Sequence, residues 1–247
     1  MVLRADSIVK SYAGRRVLSS ASMRVNAGQV VGLLGRMGEG KSTLLKICAG
    51  LVPPDSGWTS FVGVQYFRSR LSTLAASGLY YLADADNLAS TRTLRDHFRA
   101  VCRRYGGGDQ DEVIELLKLD SLLDISPAAL SGGEQRRAAL GVAMLRQPIC
   151  LLTDEPFRGI DPLTAELTGA AFRRLAATGC AVVLTGHEVR TLVPYLDRVV
   201  WMTSGTTYEL GTVASAWNHE AFQREYLGPL AGARQDSTVF GAGAGTE

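Results

Sequence analysis

The stretch GRMGEGKS, Gly35 to Ser42, limits what this chain can fold into more than any other. It fits the pattern G-x-x-x-x-G-K-[ST], and it stands where that pattern has physical meaning. An apolar run over residues 29–34, QVVGLL, leads in, and a helix-forming run over residues 41–49 leads out. The continuous core VVGLL predicts a strand buried on both faces, which is an α/β trait. Gly35, Gly38 and Gly40 let the backbone curl so that successive N–H groups and the helix N-terminus converge on phosphate oxygens. Lys41 then reaches the outer phosphates of a nucleotide such as ATP, and the Ser42 hydroxyl ligates Mg²⁺. Arg36, Met37, Glu39 and Thr43 complete the cradle.

The rest of the chain alternates in the way such a fold requires. Residues 7–11 and 17–25 are β-like, and the helix over 41–49 stops at Gly50 before LVPPDSG. From Thr91 the period changes: Leu94, Phe98, Val101, Cys102 and Tyr105 recur at helical spacing. GGGDQDEVIELLKL breaks that helix and starts another, with Asp109 as N-cap and Glu112 three residues later. A third helix begins at Ser131, so residues 86–146 read as a helical insertion between two strand-rich parts. After Gln147-Pro148 strands return as ICLLT, CAVVLTG and RVVWM, with helices from Pro162 and Glu188 between them. Strand alternating with helix predicts a mostly parallel sheet flanked by helices. The divisions expected are one domain over 1–229, with its core in 1–85 and 147–229, and a glycine-rich flexible tail over 230–247.

Charge and cysteine usage exclude some classes of function. The 26 basic residues against 24 acidic ones leave a formal net charge of +2, which gives no electrostatic case for a nucleic-acid partner. Cys48, Cys102, Cys150 and Cys180 are far apart, form no CxxC, and read as reduced core residues of a cytosolic protein. No apolar run approaches the roughly 18 residues of a spanning helix, and the opening MVLRADSIVK lacks the pattern of a signal peptide. The chain is therefore expected to be soluble, with any membrane role supplied by a partner.

Two strand ends carry chemistry. In ICLLTDEP, Asp154 and Glu155 close an apolar strand, at the edge where parallel sheets bind ligands. There Asp154 can hold the Mg²⁺ shell through water, and Glu155 can polarise an attacking water. In TGHE, His187 ends the next strand. It reads either as a satisfied structural residue or as a donor to charge developing on the γ-phosphate. A third motif, LSGGEQRR, is ambiguous by itself. Ser131 and Glu134 form a capping box, yet Gly132 and Gly133 are unexplained by it, because glycine costs about 0.5–1 kcal/mol relative to alanine inside a helix.

A P-loop, LSGGEQRR, LLTDEP and TGHE in this order resemble the ATP-binding cassette (ABC) ATPases, over nearly the whole chain up to about Gly228. The resemblance implies a RecA-like P-loop NTPase with an inserted helical subdomain and an antiparallel β part near the N-terminus. It implies a head-to-tail dimer in which Ser131, Gly132, Gly133 and Glu134 of one cassette cover the ATP held by the other. It also implies transmembrane permease subunits as partners, with the cassette peripherally attached to the inner face of the membrane. Tyr12 matches an adenine-stacking ring, with a strand-edge tyrosine as the plain alternative, and Asp161 matches the D-loop aspartate, although Asp before Pro162 is also a good N-cap. Departures are Arg36-Met37 in place of Pro-Asn, Glu39 in place of a small residue, and Asp84 in YLADADNL in place of the glutamine that contacts Mg²⁺. Asp84 is open to two readings, as a substitute carboxylate ligand and as a turn residue beside Asp86 and Asn87. Two functions follow: the ATP-driven motor subunit of a bacterial-type transporter, and a soluble assembly scaffold of the iron–sulfur type.

Overall fold

In VVGLL, alternate residues leave the backbone on opposite sides, and both sides are covered. The computed structural model, which describes residues 1–83 and 88–228, makes this run strand β3 (Val30–Leu34). Val30 and Leu34 enter one apolar core, and Val31 and Leu33 enter the other. Strand β8 (Ala181–Gly186) splits the same way, with Val182 and Leu184 on the first side and Ala181 and Val183 on the second. A slip of one residue would exchange every side chain between two finished cores, so the register is fixed.

The chain order is β1 (Leu3–Tyr12), β2 (Arg15–Val25), β3, α1 (Lys41–Cys48), β4 (Ser56–Phe61), β5 (Val64–Tyr66), α2 (Leu71–Ala76) and β6 (Leu79–Leu82). Then come α3 (Leu94–Tyr105), α4 (Gln110–Leu117), α5 (Gly132–Leu145), β7 (Cys150–Thr153), α6 (Pro162–Ala177) and β8. The chain closes with α7 (Val189–Leu192), β9 (Arg198–Thr203), β10 (Thr206–Thr212), α8 (Val213–Trp217) and α9 (Glu220–Phe222). Among the described residues the strands run β5-β4-β1-β2-β10-β9-β3-β8-β7-β6. The sheet is mixed: β9, β3, β8, β7 and β6 are parallel to their neighbours in that block, whereas β1, β2, β4 and β5 pair antiparallel. The two parts meet through one pairing of Thr206 with Ser20.

The helices between β6 and β7 follow their sequence signals closely. Thr93 and Asp96 cap α3 reciprocally, and Gly106 ends it at φ +84°. Leu94 and Phe98 are buried, as the stripe requires, but Tyr105 is exposed and lies 4.8 Å beneath the Arg146 guanidinium. Asp109 caps α4 by accepting from Glu112 N–H at 3.0 Å. The Glu112 carboxylate does not close a box; it pairs with Arg174 on α6 and so ties the insertion to the core. The helix expected from Glu188 is a single turn continued by a 3₁₀ turn. Cys48, Cys150 and Cys180 are buried thiols and Cys102 is half-buried, so all four are free. No helix among the described residues is long and apolar enough to cross a membrane. The tail expected over 230–247 lies outside the described residues.

Phe98 fills the space left by Gly141, where a Cβ would come 2.9 Å from the ring. Phe98→Ala is expected to cost about 3–5 kcal/mol through lost burial and a residual cavity, read from urea unfolding. A loss under about 1 kcal/mol would mean that α3 and α5 do not share this core.

Candidate functional site

Three adjacent strands, β3, β8 and β7, end at one edge of the sheet: β3 and β8 finish level, Leu34 pairing with Gly186, and β7 stops two residues earlier, Thr153 pairing with Leu184. Their following loops therefore emerge side by side, carrying Gly35–Ser42, His187, and Asp154 with Glu155. The sequence reading named all three segments, and the topology brings them together. A cleft of about 320 Å³ opens there, lined by Met37, Gly38, Lys41, Ser42, Asp154 and Glu155 among others. That volume suits a small-molecule ligand.

Gly40 precedes α1 at φ +103°, a conformation that side chains rarely adopt, and a Cβ would strike Leu18 at 2.7 Å. This glycine is thus required both by backbone and by space. Lys41 is only 4% exposed, and its ammonium donates to the carbonyls of Gly35 at 2.8 Å and Arg36 at 2.9 Å. Burial pulls its pKa below the usual lysine range, while the carboxylates of Glu155, Asp154 and Glu39 act the other way. An arriving polyphosphate offers this ammonium the stronger partner it lacks. Thr43 follows Ser42 in the lining of the same cleft.

Ser42 Oγ donates to Oδ1 of Asp154 at 2.9 Å. A hydroxyl and a carboxylate in an open cleft are the hard oxygen donors that Mg²⁺ takes. Among the described residues no cluster of three His, Cys, Asp or Glu is placed to hold a metal ion. Glu155 sits at φ +46°. Its Oε1 lies 3.4 Å from His187 Nδ1 and its Oε2 lies 3.8 Å from Arg158 Nε. Both Glu155 Oε2 and His187 Nδ1 are buried atoms without a hydrogen bond among the described residues, so the pair is poised for a further polar partner.

Of the departing P-loop residues, Met37 lines the cleft, whereas Arg36 and Glu39 bond away from it. The Arg36 guanidinium donates to Glu225 O at 2.6 Å, and the Glu39 carboxylate accepts from Ser204 N–H in the β9–β10 turn. The acid expected beside the phosphate cradle is thereby partly neutralised by a backbone donor. Tyr12 ends β1 with its ring 45% exposed, and Lys10 Nζ lies 5.5 Å over it. Asp161 caps α6, accepting from Thr164 N–H at 3.0 Å and from Thr164 Oγ1 at 2.6 Å, and the latter bond holds its carboxyl below the usual range. Asp84 lies outside the described residues.

Ser131 and Glu134 do form the capping box at the start of α5, with Ser131 N–H and Oγ donating to Glu134 Oε2 at 2.8 and 2.7 Å. The two glycines separate. A Cβ on Gly133 would meet Thr164 and Asp161 of the same chain at 3.3 and 3.5 Å, whereas one on Gly132 would meet nothing within 4 Å. Neither these residues nor Glu134 line the cleft. Two residues were missed by sequence reasoning. Arg158 lines the cleft, and its only signal was a cation three positions after Glu155. Thr185 is a fully buried hydroxyl at the end of an apolar strand, which is itself a signal.

Comparison with known proteins decides what this geometry serves. The sequence pattern of the ABC transporter family matches residues 18–158, more than half of the chain. The lipopolysaccharide export system ATP-binding protein LptB of Haemophilus influenzae is 31% identical over 234 residues, covering 92% of this chain and 97% of that protein. The chain belongs to the ABC transporter family. LptB of Escherichia coli K12 is 32% identical over 236 residues with the same coverage, and a probable ABC transporter ATP-binding protein of Azorhizobium caulinodans is 33% identical, covering 92% of this chain and 83% of its own. A nucleotide-free cassette of an ABC transporter superimposes with a TM-score of 0.80 at 22% identity, covering 92% of this chain and 97% of the other. A second cassette, solved as a dimer bound to ADP and Pi after hydrolysis, gives 0.73 at 21%, covering 84% and 98%. The cassette is the ATP-binding and ATP-hydrolysing subunit of a bacterial-type ABC transporter, and the scaffold alternative is not favoured.

The capping box gives Ser131 a role inside its own chain that is separable from any ligand. Ser131→Ala should lower stability by about 0.5–2 kcal/mol in chemical unfolding and leave nucleotide binding by the isolated chain unchanged. Equal stability of the two proteins would show that Glu134 alone caps α5.

Proposed function

We propose that the cassette holds ATP and Mg²⁺ in the cleft of residues 35–43, and that hydrolysis requires a second cassette to lay its own Ser131–Glu134 across that cleft, head to tail. The observation that carries this reading is a division within one chain. Lys41, Ser42, Asp154 and Glu155 line one cleft, with His187 beside Glu155 just outside it, while the exposed start of α5, with open space at Gly132, lies away from that cleft. A helix N-terminus with bare backbone is suited to a γ-phosphate. That a cassette of the same fold was solved as a dimer with ADP and Pi is in keeping with a pair of cassettes.

On this reading Gly35, Gly38 and Gly40 wrap the phosphates, Lys41 neutralises the outer ones, and Ser42 and Asp154 hold Mg²⁺. The ion, when bound, offsets charge that builds on the phosphate oxygens. Glu155 orients and polarises the attacking water, and His187, 3.4 Å away, donates to the γ-phosphate as charge develops. Tyr12 stacks adenine on the ring face that Lys10 leaves open. Asp161 adds to the contact between cassettes. Closing and opening of the pair then drive separate permease subunits, to which the cassette attaches at the inner face of the membrane.

Glu155→Gln should keep ATP binding and lose about 10²–10⁴-fold in hydrolysis, leaving an ATP-bound dimer that persists in size-exclusion chromatography. Undiminished turnover together with monomer alone would reject both the role and the dimer.

Lys41→Ala disables the cleft of its own chain, and Ser131→Arg disables the cleft of its partner by covering the γ-phosphate position. The two inactive variants should therefore complement when mixed, because one composite site in each heterodimer is intact. Proven heterodimers without recovered ATPase activity would count against action across the interface.

A further inference from the structure

Strand β8 is apolar through Val182, Val183 and Leu184 and then carries, one residue before its end, a threonine that is 0% exposed. A hydroxyl in such a place is costly unless its hydrogen and a lone pair are both used. At Thr185 both are used, and both on the neighbouring strand end. Oγ1 donates to Oδ1 of Asp154 at 2.6 Å and accepts the N–H of Glu155 at 2.8 Å. Thr185 thus joins two consecutive acids to which different roles are assigned above.

The second bond falls where the backbone most needs it. Glu155 sits at φ +46°, a left-handed conformation that a residue bearing a Cβ keeps only when its surroundings hold it. The direction of the Glu155 side chain, and so its approach to His187, depends on that turn. The first bond fixes the Asp154 carboxylate with the same oxygen aimed at Ser42.

We propose that Thr185 is a positioning residue for ATP hydrolysis, its hydroxyl setting the Glu155 carboxylate in the turn that presents it to water while holding Asp154 toward Ser42. The inference rests on the reading of Glu155 as the water-polarising group. A purely structural threonine predicts something different. Valine has nearly the same shape, so packing would survive, and any loss would show as stability and not as a selective loss of turnover.

Thr185→Val removes both bonds, and Thr185→Ser restores them without the methyl. Outer-shell partners of this kind change activity by about 10–100-fold. The valine variant should lose that much in kcat with KM for ATP within about threefold of native, and serine should return kcat to within about threefold. A readout independent of turnover is amide exchange without nucleotide: the Glu155 N–H should exchange at least about tenfold faster in the valine variant than in native or serine protein. Glu155→Gln is assayed alongside. If it is inactive while Thr185→Val turns over at the native rate, the inference about Thr185 falls alone. If Glu155→Gln is itself fully active, the reading of Glu155 falls first. Equal kcat losses in the serine and valine variants, or a loss confined to KM, would also overturn the proposal. Should valine prevent folding, Thr185→Ala removes the same two bonds and is held to the same outcomes.

Discussion

Oδ1 of Asp154 accepts one hydrogen bond from Ser42 at 2.9 Å and another from Thr185 at 2.6 Å, and these two bonds make one unit of the first turn of α1, the end of β7 and the end of β8. A charged oxygen with two hydroxyl donors is a strong local constraint, since charge-assisted bonds are about twice as strong as neutral ones. It can form because β3, β8 and β7 are adjacent and end at the same edge of the sheet, with β7 stopping two residues before β3 and β8. That adjacency depends in turn on the alternation of Val30, Val31, Leu33 and Leu34 between two cores. Hydrophobic patterning thus sets the position of a carboxylate to within a hydrogen-bond length.

Electrostatics at the cleft follow from the same packing. Lys41 is buried against the sheet, so its charge loses solvation and is held in place by two carbonyls of its own loop. Those carbonyls are neutral acceptors and compensate a cation only in part, which is why its pKa is pulled down by burial. A site that keeps a cation under-compensated is prepared for an anion. Glu39 would oppose this if its carboxylate faced the cradle freely, but its bond to Ser204 N–H uses one oxygen on the β9–β10 turn. The departure from the family pattern is accommodated by a neighbour that no local reading of GRMGEGKS could supply.

What the sequence made legible is what local periodicity and strand-ending motifs encode. VVGLL announced a strand covered on both faces, the Ser131 and Glu134 box announced the start of α5, and the order of motifs placed Asp154, Glu155 and His187 at adjoining strand ends. The hairpin of β4 and β5 was not legible, because SGWTSFVGVQY mixes small, polar and apolar residues without a clean alternation, and its pairing with β1 is made across the chain. Tyr105 fits the helical stripe of α3 by spacing, yet Arg146 and not the core receives its ring. Glu112 looked like a partner for Asp109 and instead reaches Arg174, 62 residues away. The last two misses concern side chains whose partners are remote in sequence, where spacing carries no information.

The two glycines of LSGGE show how one motif can satisfy two demands. Gly133 packs against the start of α6, where a Cβ would stand 3.3 Å from Thr164 Oγ1 and 3.5 Å from Asp161 Oδ2, and Asp161 in turn caps α6. Arg136, one turn further along α5, donates to the carbonyl of Arg158, three residues beyond Glu155. The start of α5 is therefore tethered to the segment that connects Glu155 with α6. If the signature of each cassette serves the cleft of its partner, a displacement of residues 155–161 at one ATP is carried directly to the helix start that covers the other. Gly132 has open space around it, and Gly133 stands against its own chain. Within one cassette the segment after Glu155 thus joins the lining of the cleft, at Arg158, to the first turns of α5.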